Sequence, residues 1–266
     1  MMEKLTEKRI GVLDSGLGGL TLVREMERLL PCESIVYMGD NSNCPYGNRS
    51  EEEILGLSFA MLDFLREKDV KIAAIACNTI STIADRLRER YEFPIVSIIE
   101  TACESAAGMG LSKIAVFATE FTIRRGLYAK LLGRLSPNTE VFGFPSRTLA
   151  TLIDSGRFDD SATEMEVKAL LRNLSESHPD VRNVILGCTH YVIVEGLFKK
   201  SAPDINFINP AQAQAEAIKR LLSERGLLYD TPRSGLDIYT SGEKSLYKTA
   251  LEKLGIRRHA VIEERH

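Results

Sequence analysis

Two cysteines in the sequence occupy matching places, each after a buried apolar run and before a pair of polar residues. Cys77 lies in AAIACNTI (73–80), and Cys188 lies in NVILGCTH (183–190). A thiol has an unperturbed pKa of about 8.5, so modest tuning by its surroundings lets it act as a base or an acid near neutral pH. Two thiols on opposite sides of one small molecule could remove a proton from one face and deliver a proton to the other.

Such a pair suits inversion at a carbon atom, because base and acid exchange roles in the reverse direction. Both cysteines lie where a strand gives way to a helix, so we expect the helix dipole to favour the thiolate. Asp14 in DSGLGG and His190 after GCT are candidate partners that orient a thiol or relay its proton. Neighbouring polar side chains offer hydrogen bonds to the carboxylate and ammonium groups of an amino acid: Ser15, Asn78, Thr79 and Thr189.

The other three cysteines, Cys32, Cys44 and Cys103, do not form a further motif. They are widely spaced, and the sequence has neither a CxxC pair nor a His/Cys cluster with the spacing of zinc ligands. We therefore expect no disulfide framework and no metal site. Cys44 lies in NSNCPYG among residues of functional type, but it has no counterpart in the second half of the chain, so we interpret it as an incidental cysteine.

The elements around these motifs follow an α/β pattern. Apolar runs at 9–14, 34–40, 71–76 and 94–100 predict strands, of which 71–76 reads as buried on both faces as in a parallel sheet, with helical periodicity between them. The pattern then restarts. KIAVFAT resembles RIGVLDS 104 residues earlier (113 against 9), and the second cysteine motif follows the first by 111 residues (188 against 77).

This repeat predicts two similar parallel-sheet α/β domains related by pseudo-twofold symmetry. We assign residues 1–98 plus 211–266 to the first domain and residues 99–210 to the second. Ligands of such sheets bind outside the carboxyl ends of the strands, so we expect the active site in the cleft between the domains.

The composition limits the classes of function. The chain has 266 residues, 44% of them hydrophobic and 27% charged, with a formal net charge of −3. Neither a nucleic-acid partner nor a membrane partner is indicated, since no long apolar segment and no basic cluster is present. The charged N-terminus leads directly into a strand and leaves no room for a signal peptide, so we expect a cytoplasmic protein.

Three other readings of the motifs are weaker. A dinucleotide turn at DSGLGG fails, because Thr21 stands where the fingerprint requires Gly or Ala. Pyridoxal phosphate chemistry needs a Schiff-base lysine beside a phosphate site, and no lysine has that position. A two-lobed amino-acid-binding protein would need no cysteine in its cleft and would usually carry an export signal. We therefore expect no organic cofactor.

Taken together, the motifs resemble the glutamate racemase family, and the resemblance extends over nearly the whole chain. The segments that carry it are IGVLDSGLGGLTLVREM (10–26), YMGDNSNCPYG (37–47), AAIACNTIS (73–81), VFATEFTIRRGLY (116–128) and LGCTHY (186–191). PYG and GCTHY are the more specific signals, because the wider aspartate/glutamate racemase superfamily shares only the two-cysteine plan.

The resemblance implies an enzyme that interconverts L-glutamate and D-glutamate, with Cys77 taking the proton from the D isomer and Cys188 from the L isomer. It also implies a homodimer and a supply of D-glutamate for bacterial peptidoglycan. The residues that would bind the substrate or support the thiols are Asp14, Ser15, Tyr46, Gly47, Asn78, Thr79, Thr119, Thr189 and His190.

The alternative within the superfamily is racemisation of aspartate or another small amino acid. His190 favours glutamate, because an aspartate racemase more usually has Glu at that position. The chain departs from the family pattern at Thr101, at Val192, in the loop 41–44 and in the segment FGFPSRTLATLIDSG (142–156). These changes lie near the expected cleft and leave both cysteines in place.

Overall fold

Two separate parallel β-sheets with surrounding helices make up the computed structural model, which describes residues 5–231 and 235–265. The strands are β1 (Arg9–Asp14), β2 (Ile35–Gly39), β3 (Val70–Ile75), β4 (Ile95–Ser97), β5 (Lys113–Thr119), β6 (Glu140–Ser146), β7 (Asn183–Gly187), β8 (Asn206–Ile208), β9 (Leu236–Thr240) and β10 (Ala260–Glu264). The α-helices are Leu20–Leu29, Glu51–Glu67, Asn78–Ser81, Ala84–Arg88, Ile98–Gly108, Glu120–Arg125, Leu127–Leu135, Leu149–Asp154, Ser161–Ser177, Thr189–Ile193, Glu195–Ser201, Pro210–Glu224 and Lys244–Leu254. Short 3-10 turns lie at Asn41–Asn43 and Tyr46–Asn48.

Four neighbouring strands of the first sheet are arranged in the same chain order as the four strands of the second sheet. The first sheet runs β10-β9-β2-β1-β3-β4, the second runs β6-β5-β7-β8, and all neighbouring strands are parallel. The segment β2-β1-β3-β4 therefore repeats as β6-β5-β7-β8, which pairs β1 with β5 and β3 with β7. These are the same pairs that the sequence repeat matched. The predicted fold class of two similar parallel-sheet α/β units is confirmed.

One long helix joins the two halves. The helix Pro210–Glu224 packs against helices Leu20–Leu29 and Ile98–Gly108 and also contacts β7 of the second sheet. Its buried Gln214 amide donates to the carbonyl oxygens of Ile75 at 2.9 Å and Val96 at 3.0 Å, near the carboxyl ends of β3 and β4. The division into residues 1–98 plus 211–266 and residues 99–210 stays a prediction.

Local sequence explains the strands and helices that border the site. All six residues of β3 are buried, as a strand covered on both faces requires. The helix Glu51–Glu67 begins with a capping box, in which Ser50 accepts from the Glu53 N–H and the Glu53 carboxylate accepts from the Ser50 N–H.

Within residues 5–231 and 235–265, no helix is both long enough and apolar enough to cross a membrane.

One predicted strand differs from the structure, and three edge strands were missed. The strand expected over 94–100 ends at Ser97, and a helix begins at Ile98. The edge strands β6, β8 and β10 were not predicted. Pro145 and Gly143 obscure the pattern of β6, and a proline is tolerated there because an edge strand leaves one side unpaired. β10 has no buried residue and so lacks an apolar pattern.

Candidate active site

Cys77 lies just beyond the carboxyl end of β3, beside the end of β1. It is the residue that precedes the short helix Asn78–Ser81, and its side chain is 5% exposed. The hydroxyl oxygen of Ser15, one residue past β1, lies 3.4 Å from its sulfur. The two residues come from adjacent strands, because β1 pairs directly with β3.

Burial controls the protonation of this thiol. Loss of water, with a smaller contribution from the negative charge of Asp14, raises the pKa of Cys77 to about 12, although hydrogen bonds from Ser15 and the N–H of Ile80 oppose the rise. The N–H of Ile80 at the start of the short helix does favour the thiolate of Cys77, but burial outweighs this contribution. The helix has only four residues, and its dipole is weaker than the cost of placing a charge in a buried site.

Cys188 occupies the equivalent place after β7 and has a different partner. Its side chain is 6% exposed, and its sulfur lies 3.8 Å from Nδ1 of His190. His190 follows two residues later in the short helix Thr189–Ile193 and is itself buried. The two thiols are thus in similar positions of the fold but have different neighbours, a hydroxyl for Cys77 and an imidazole for Cys188.

Asp154, at the end of the helix Leu149–Asp154, orients His190. Nε2 of His190 donates to Oδ1 of Asp154 at 2.7 Å. Burial is the largest single effect on the pKa of His190 and lowers it, but the hydrogen bonds and negative charges of Asp154 and Cys188 together outweigh burial, and the pKa rises well above its usual value. Burial likewise works against ionisation of Asp154, yet the contact with His190 holds the pKa of that carboxyl below its usual value. The pair is therefore an imidazolium beside a carboxylate at neutral pH.

Asp154 is held in turn by neutral donors. The side-chain amide of Asn41 donates to both carboxylate oxygens at 3.0 Å, and the backbone N–H of Leu17 donates to Oδ1 at 3.1 Å. Because these donors come from separate loops at the end of the first sheet, they link His190 to the half of the molecule that carries Cys77.

Asp14 lies behind the site. Its Oδ1 accepts from the N–H of Gly16 at 3.0 Å, and its Oδ2 accepts from the hydroxyl of Thr189 at 3.1 Å. The side chain is fully buried, and this burial raises its pKa to about 6 although the charge of His190 opposes the rise. Asp14 is not among the residues that line the cleft, so the structure places it next to Thr189 and not where a ligand would touch it.

The loop before the helix Glu51–Glu67 closes one wall. The hydroxyl of buried Tyr46 donates to Asp40 at 2.6 Å. Gly47 packs closely on Thr119, since a Cβ atom on Gly47 would lie 2.8 Å from the Cβ of Thr119. The hydroxyl of Thr119 lies 3.1 Å from that of Thr79, which brings the end of β5 against the helix that follows Cys77.

Asn78 presents an unpaired donor. Its Oδ1 accepts from the hydroxyl of Tyr128 at 2.7 Å, whereas its buried Nδ2 has no hydrogen-bond partner within the described chain. A buried amide donor without a partner is costly unless a ligand or water completes it. Asn78 lines the cleft, so its free amide is available to a bound acceptor.

These side chains surround one small and nearly closed cleft between the carboxyl ends of the two sheets. Every residue predicted for the site except Asp14 lines it: Ser15, Tyr46, Gly47, Cys77, Asn78, Thr79, Thr119, Cys188, Thr189 and His190. A cleft with two acid/base groups, hydroxyls and an amide donor has what proton transfer on a small polar molecule needs.

Sequence reasoning missed four residues here. Cys44, Pro45 and Ala150 also line the cleft, and Asp154 lies behind His190. Asp154 belongs to the segment 142–156, which departs from the family pattern and offered no motif to align. Cys44 was interpreted as incidental because no activating neighbour was visible, yet its side chain lies near Asp154 and His190.

Comparison with known proteins supports the resemblance found in the motifs. The family model for Asp/Glu/Hydantoin racemase matches residues 10–218. A glutamate racemase of Limosilactobacillus reuteri is 33% identical over 241 residues, which cover 90% of each chain. One from Neisseria meningitidis is 35% identical over 231 residues and 85% of each chain.

Solved structures of such enzymes share the fold. The glutamate racemase RacE1 of Bacillus anthracis is 33% identical, covers 97% of both chains and superposes with a TM-score of 0.89. The Francisella tularensis enzyme, solved in complex with D-glutamate, is 30% identical over 98% of both chains with a TM-score of 0.88. The aspartate racemase of Picrophilus torridus, at 17% identity and a TM-score of 0.60, shares the fold alone. The chain therefore belongs to the Asp/Glu/hydantoin racemase family, as one of the amino-acid racemases of the glutamate racemase group.

Proposed function

We propose that the protein interconverts L-glutamate and D-glutamate, with Cys77 and Cys188 exchanging protons with Cα from opposite faces and without an organic cofactor. The observation that carries the proposal is the placement of the two thiols. Both line one cleft, and each follows the same strand of a repeated sheet. The relatives named as glutamate racemases, one of them solved with D-glutamate, support the choice of substrate.

In the direction from L- to D-glutamate, Cys188 acts as the base and Cys77 as the acid. The high pKa of Cys77 keeps a proton on its sulfur at neutral pH, ready for delivery to the carbanion. Cys188, whose sulfur lies 3.8 Å from Nδ1 of His190, takes the proton from Cα and ends as the thiol. In the reverse direction the Cys77 thiolate takes the proton from D-glutamate, and Cys188 delivers its own proton to the opposite face and is left as the thiolate beside His190.

The substrate is held by the polar lining of the cleft. The unpaired Nδ2 of Asn78 donates to a substrate carboxylate, since no residue in the described chain uses it. Ser15, Thr79 and Thr119 supply hydroxyls on the side of Cys77, and Thr189 supplies one on the side of Cys188. Tyr46 and Gly47 shape the wall, because the Tyr46 hydroxyl is already bonded to Asp40. Asp14 acts indirectly, by positioning Thr189.

The same cleft excludes water during the reaction. Both sulfurs and the imidazole of His190 are at least nine-tenths buried, so a carbanion formed there meets few solvent protons. The exclusion makes the two thiols the main proton donors and keeps delivery specific to one face.

Circular dichroism with four separate substrates tests the proposal. Racemisation of L-glutamate and D-glutamate is expected with a kcat/KM at least about tenfold above that for either aspartate isomer. A pocket shaped for the longer side chain leaves donors unpaired with aspartate, at a cost of about 1–3 kcal/mol each. Equal kcat/KM values for the two amino acids would support the superfamily alternative, and no racemisation of any of them would refute the proposal.

The proposal includes a biological setting. D-glutamate formed in the cytoplasm would serve peptidoglycan synthesis, and we propose that the enzyme acts there as a homodimer. Light scattering coupled to size-exclusion chromatography checks the assembly. A mass near twice that of the 266-residue chain is expected, and a monomer mass at all concentrations would contradict it.

A further inference from the structure

Three potential metal ligands meet at the edge of the cleft. The sulfur of Cys44, a carboxylate oxygen of Asp154 and a ring nitrogen of His190 all lie within 4.8 Å of one another. They come from distant parts of the sequence, so no spacing rule for metal motifs could have found them. The Cys44 side chain is half-buried and lines the cleft, and no step of the proposed racemisation uses it.

We propose that Cys44, Asp154 and His190 bind a zinc ion, and that the bound ion inhibits the enzyme. The inhibition rests on the proposed function, whereas the binding does not. A thiolate, an imidazole and a carboxylate form a ligand set that zinc favours over magnesium or calcium. Three protein ligands would leave the fourth tetrahedral position open towards the cleft.

The geometry requires only small movements. Bonds of about 2.0–2.3 Å to a tetrahedral zinc place its ligand atoms roughly 3.4–3.6 Å apart. Starting from separations within 4.8 Å, each side chain needs to shift by about 1 Å or less. The hydrogen bond between His190 and Asp154 at 2.7 Å shows that two of the ligands already converge.

Neighbouring groups make contacts with Asp154 and His190 of the kind that hold metal ligands in place. Asn41 donates to both oxygens of Asp154, and the N–H of Leu17 donates to one of them. On the other side of the ring, Nδ1 of His190 lies 3.8 Å from the sulfur of Cys188, which can accept its proton. Such contacts fix the orientation and tautomer of a ligating histidine and add to the affinity for the metal.

Zinc would inhibit because it binds His190 and Asp154, two residues that the proposed reaction uses. Zinc on Nε2 replaces the hydrogen bond from His190 to Asp154, and the imidazole must bind as its neutral form. The Cys44 thiol releases its proton to solvent in the same step. His190 then keeps only the Nδ1 proton that faces Cys188 and loses its pairing with Asp154, and the ion stands at the part of the cleft wall that Cys44 and His190 line.

Zinc binding is tested first without turnover. Calorimetry of the full chain, with free zinc set by a metal buffer, is expected to show one ion per chain. Cobalt, used as a spectroscopic substitute, is expected to give a thiolate charge-transfer band. Cys44→Ser should remove the band and weaken zinc binding by roughly 100-fold or more, since loss of a supporting contact alone costs 10–100-fold. Cys32→Ser, which changes another half-buried free thiol, is the matched control and should bind as the parent does.

Racemisation is then measured at fixed free zinc, with each variant compared with its own zinc-free rate. Zinc should inhibit the parent and Cys32→Ser in competition with glutamate, and Cys44→Ser should need roughly 100-fold more zinc. Unchanged zinc affinity in Cys44→Ser, or loss of the cobalt band only in Cys188→Ser, would overturn the site. An Asp154→Asn variant with weakened binding supports it if Cys44→Ser does not fold. If the protein binds zinc at this site but racemises no amino acid, the metal site is supported and the proposed function is refuted.

Discussion

The carboxylate of Asp14 accepts a hydrogen bond from the hydroxyl of Thr189 at 3.1 Å, which joins the end of β1 to the residue after Cys188. The contact crosses between the two sheets and is fully buried on the Asp14 side. The contact therefore links the residue after Cys188 to the half of the molecule that carries Cys77. Because Asp14 is buried there, ionisation of its carboxyl group lowers the stability of the folded protein.

Asp14→Asn should change how stability depends on pH. Folding raises the Asp14 pKa from 3.8 to about 6, so the folded protein binds this proton more tightly than the unfolded chain does. Its stabilising contribution is present at low pH and is lost as pH rises through about 6, with a loss of about 1.4 kcal/mol between about pH 5 and pH 8. The melting temperature of Asp14→Asn relative to the parent should therefore rise from pH 5 to pH 8. The exposed control Asp159→Asn should show no such trend, and a trend of the opposite sign would contradict the assignment.

Cys77→Ser and Cys188→Ser should each abolish racemisation in both directions, because inversion needs a group on each face. In deuterated water the parent should place deuterium in the product at early times, whereas recovered substrate gains little. The thiols exchange with solvent between turnovers but not while the cleft excludes water. NMR or mass spectrometry of both isomers provides the measurement. Cys32→Ser is the control, and equal early exchange into substrate and product would indicate a single base.

Asp154→Asn should lower kcat by about 10–100-fold with a smaller change in KM. An amide still accepts the Nε2–H of His190 but no longer stabilises the imidazolium, and general acid–base groups contribute about 10²–10⁴-fold in rate. As pH rises, kcat of the variant should also begin to fall at a lower pH than kcat of the parent does, because the His190 pKa falls without the carboxylate. The control is Asp159→Asn, whose parent residue pairs with Lys253 at the surface. An unchanged pH profile would show that Asp154 has only a structural role.

Gly47→Ala should weaken substrate binding. The added methyl group would lie 2.8–3.3 Å from three side-chain atoms of Thr119, so Thr119, whose hydroxyl contacts that of Thr79 in the cleft wall, must shift. We expect KM to rise by about tenfold, which corresponds to about 1.4 kcal/mol, in steady-state assays with glutamate. Gly108→Ala is the matched control because a Cβ there meets no atom within 4 Å. Equal KM values in the two variants would argue against a binding role for this wall.

Catalysis should need neither a metal nor pyridoxal phosphate. Dialysis against a chelator should leave the rate unchanged or raise it, and the absorbance spectrum of the active protein should show no pyridoxal chromophore. The reason is that both proton carriers are side chains of the chain itself. Activity that is lost on dialysis and restored by a metal would falsify this prediction.

The sequence by itself determined the repeated α/β plan and most of the cleft. Apolar runs followed by polar residues identify buried strands and their carboxyl ends, and parallel sheets bring such ends together. The sequence alone therefore places six residues in one site: Cys77, Asn78 and Thr79 after β3, and Cys188, Thr189 and His190 after β7. The edge strands β6 and β10 escaped this reasoning, because an exposed edge carries little apolar pattern.

Only the tertiary structure decided which side chains meet across the cleft and in which protonation state. Asp154 and Cys44 reach His190 from a helix and a loop that no local pattern relates to it. Asp14 was expected to bind the substrate or to support a thiol, and the fold places it behind the cleft as the acceptor of the Thr189 hydroxyl. The pKa of Cys77 rises although it precedes a helix, because desolvation depends on every group that surrounds the thiol and not on its neighbours along the chain.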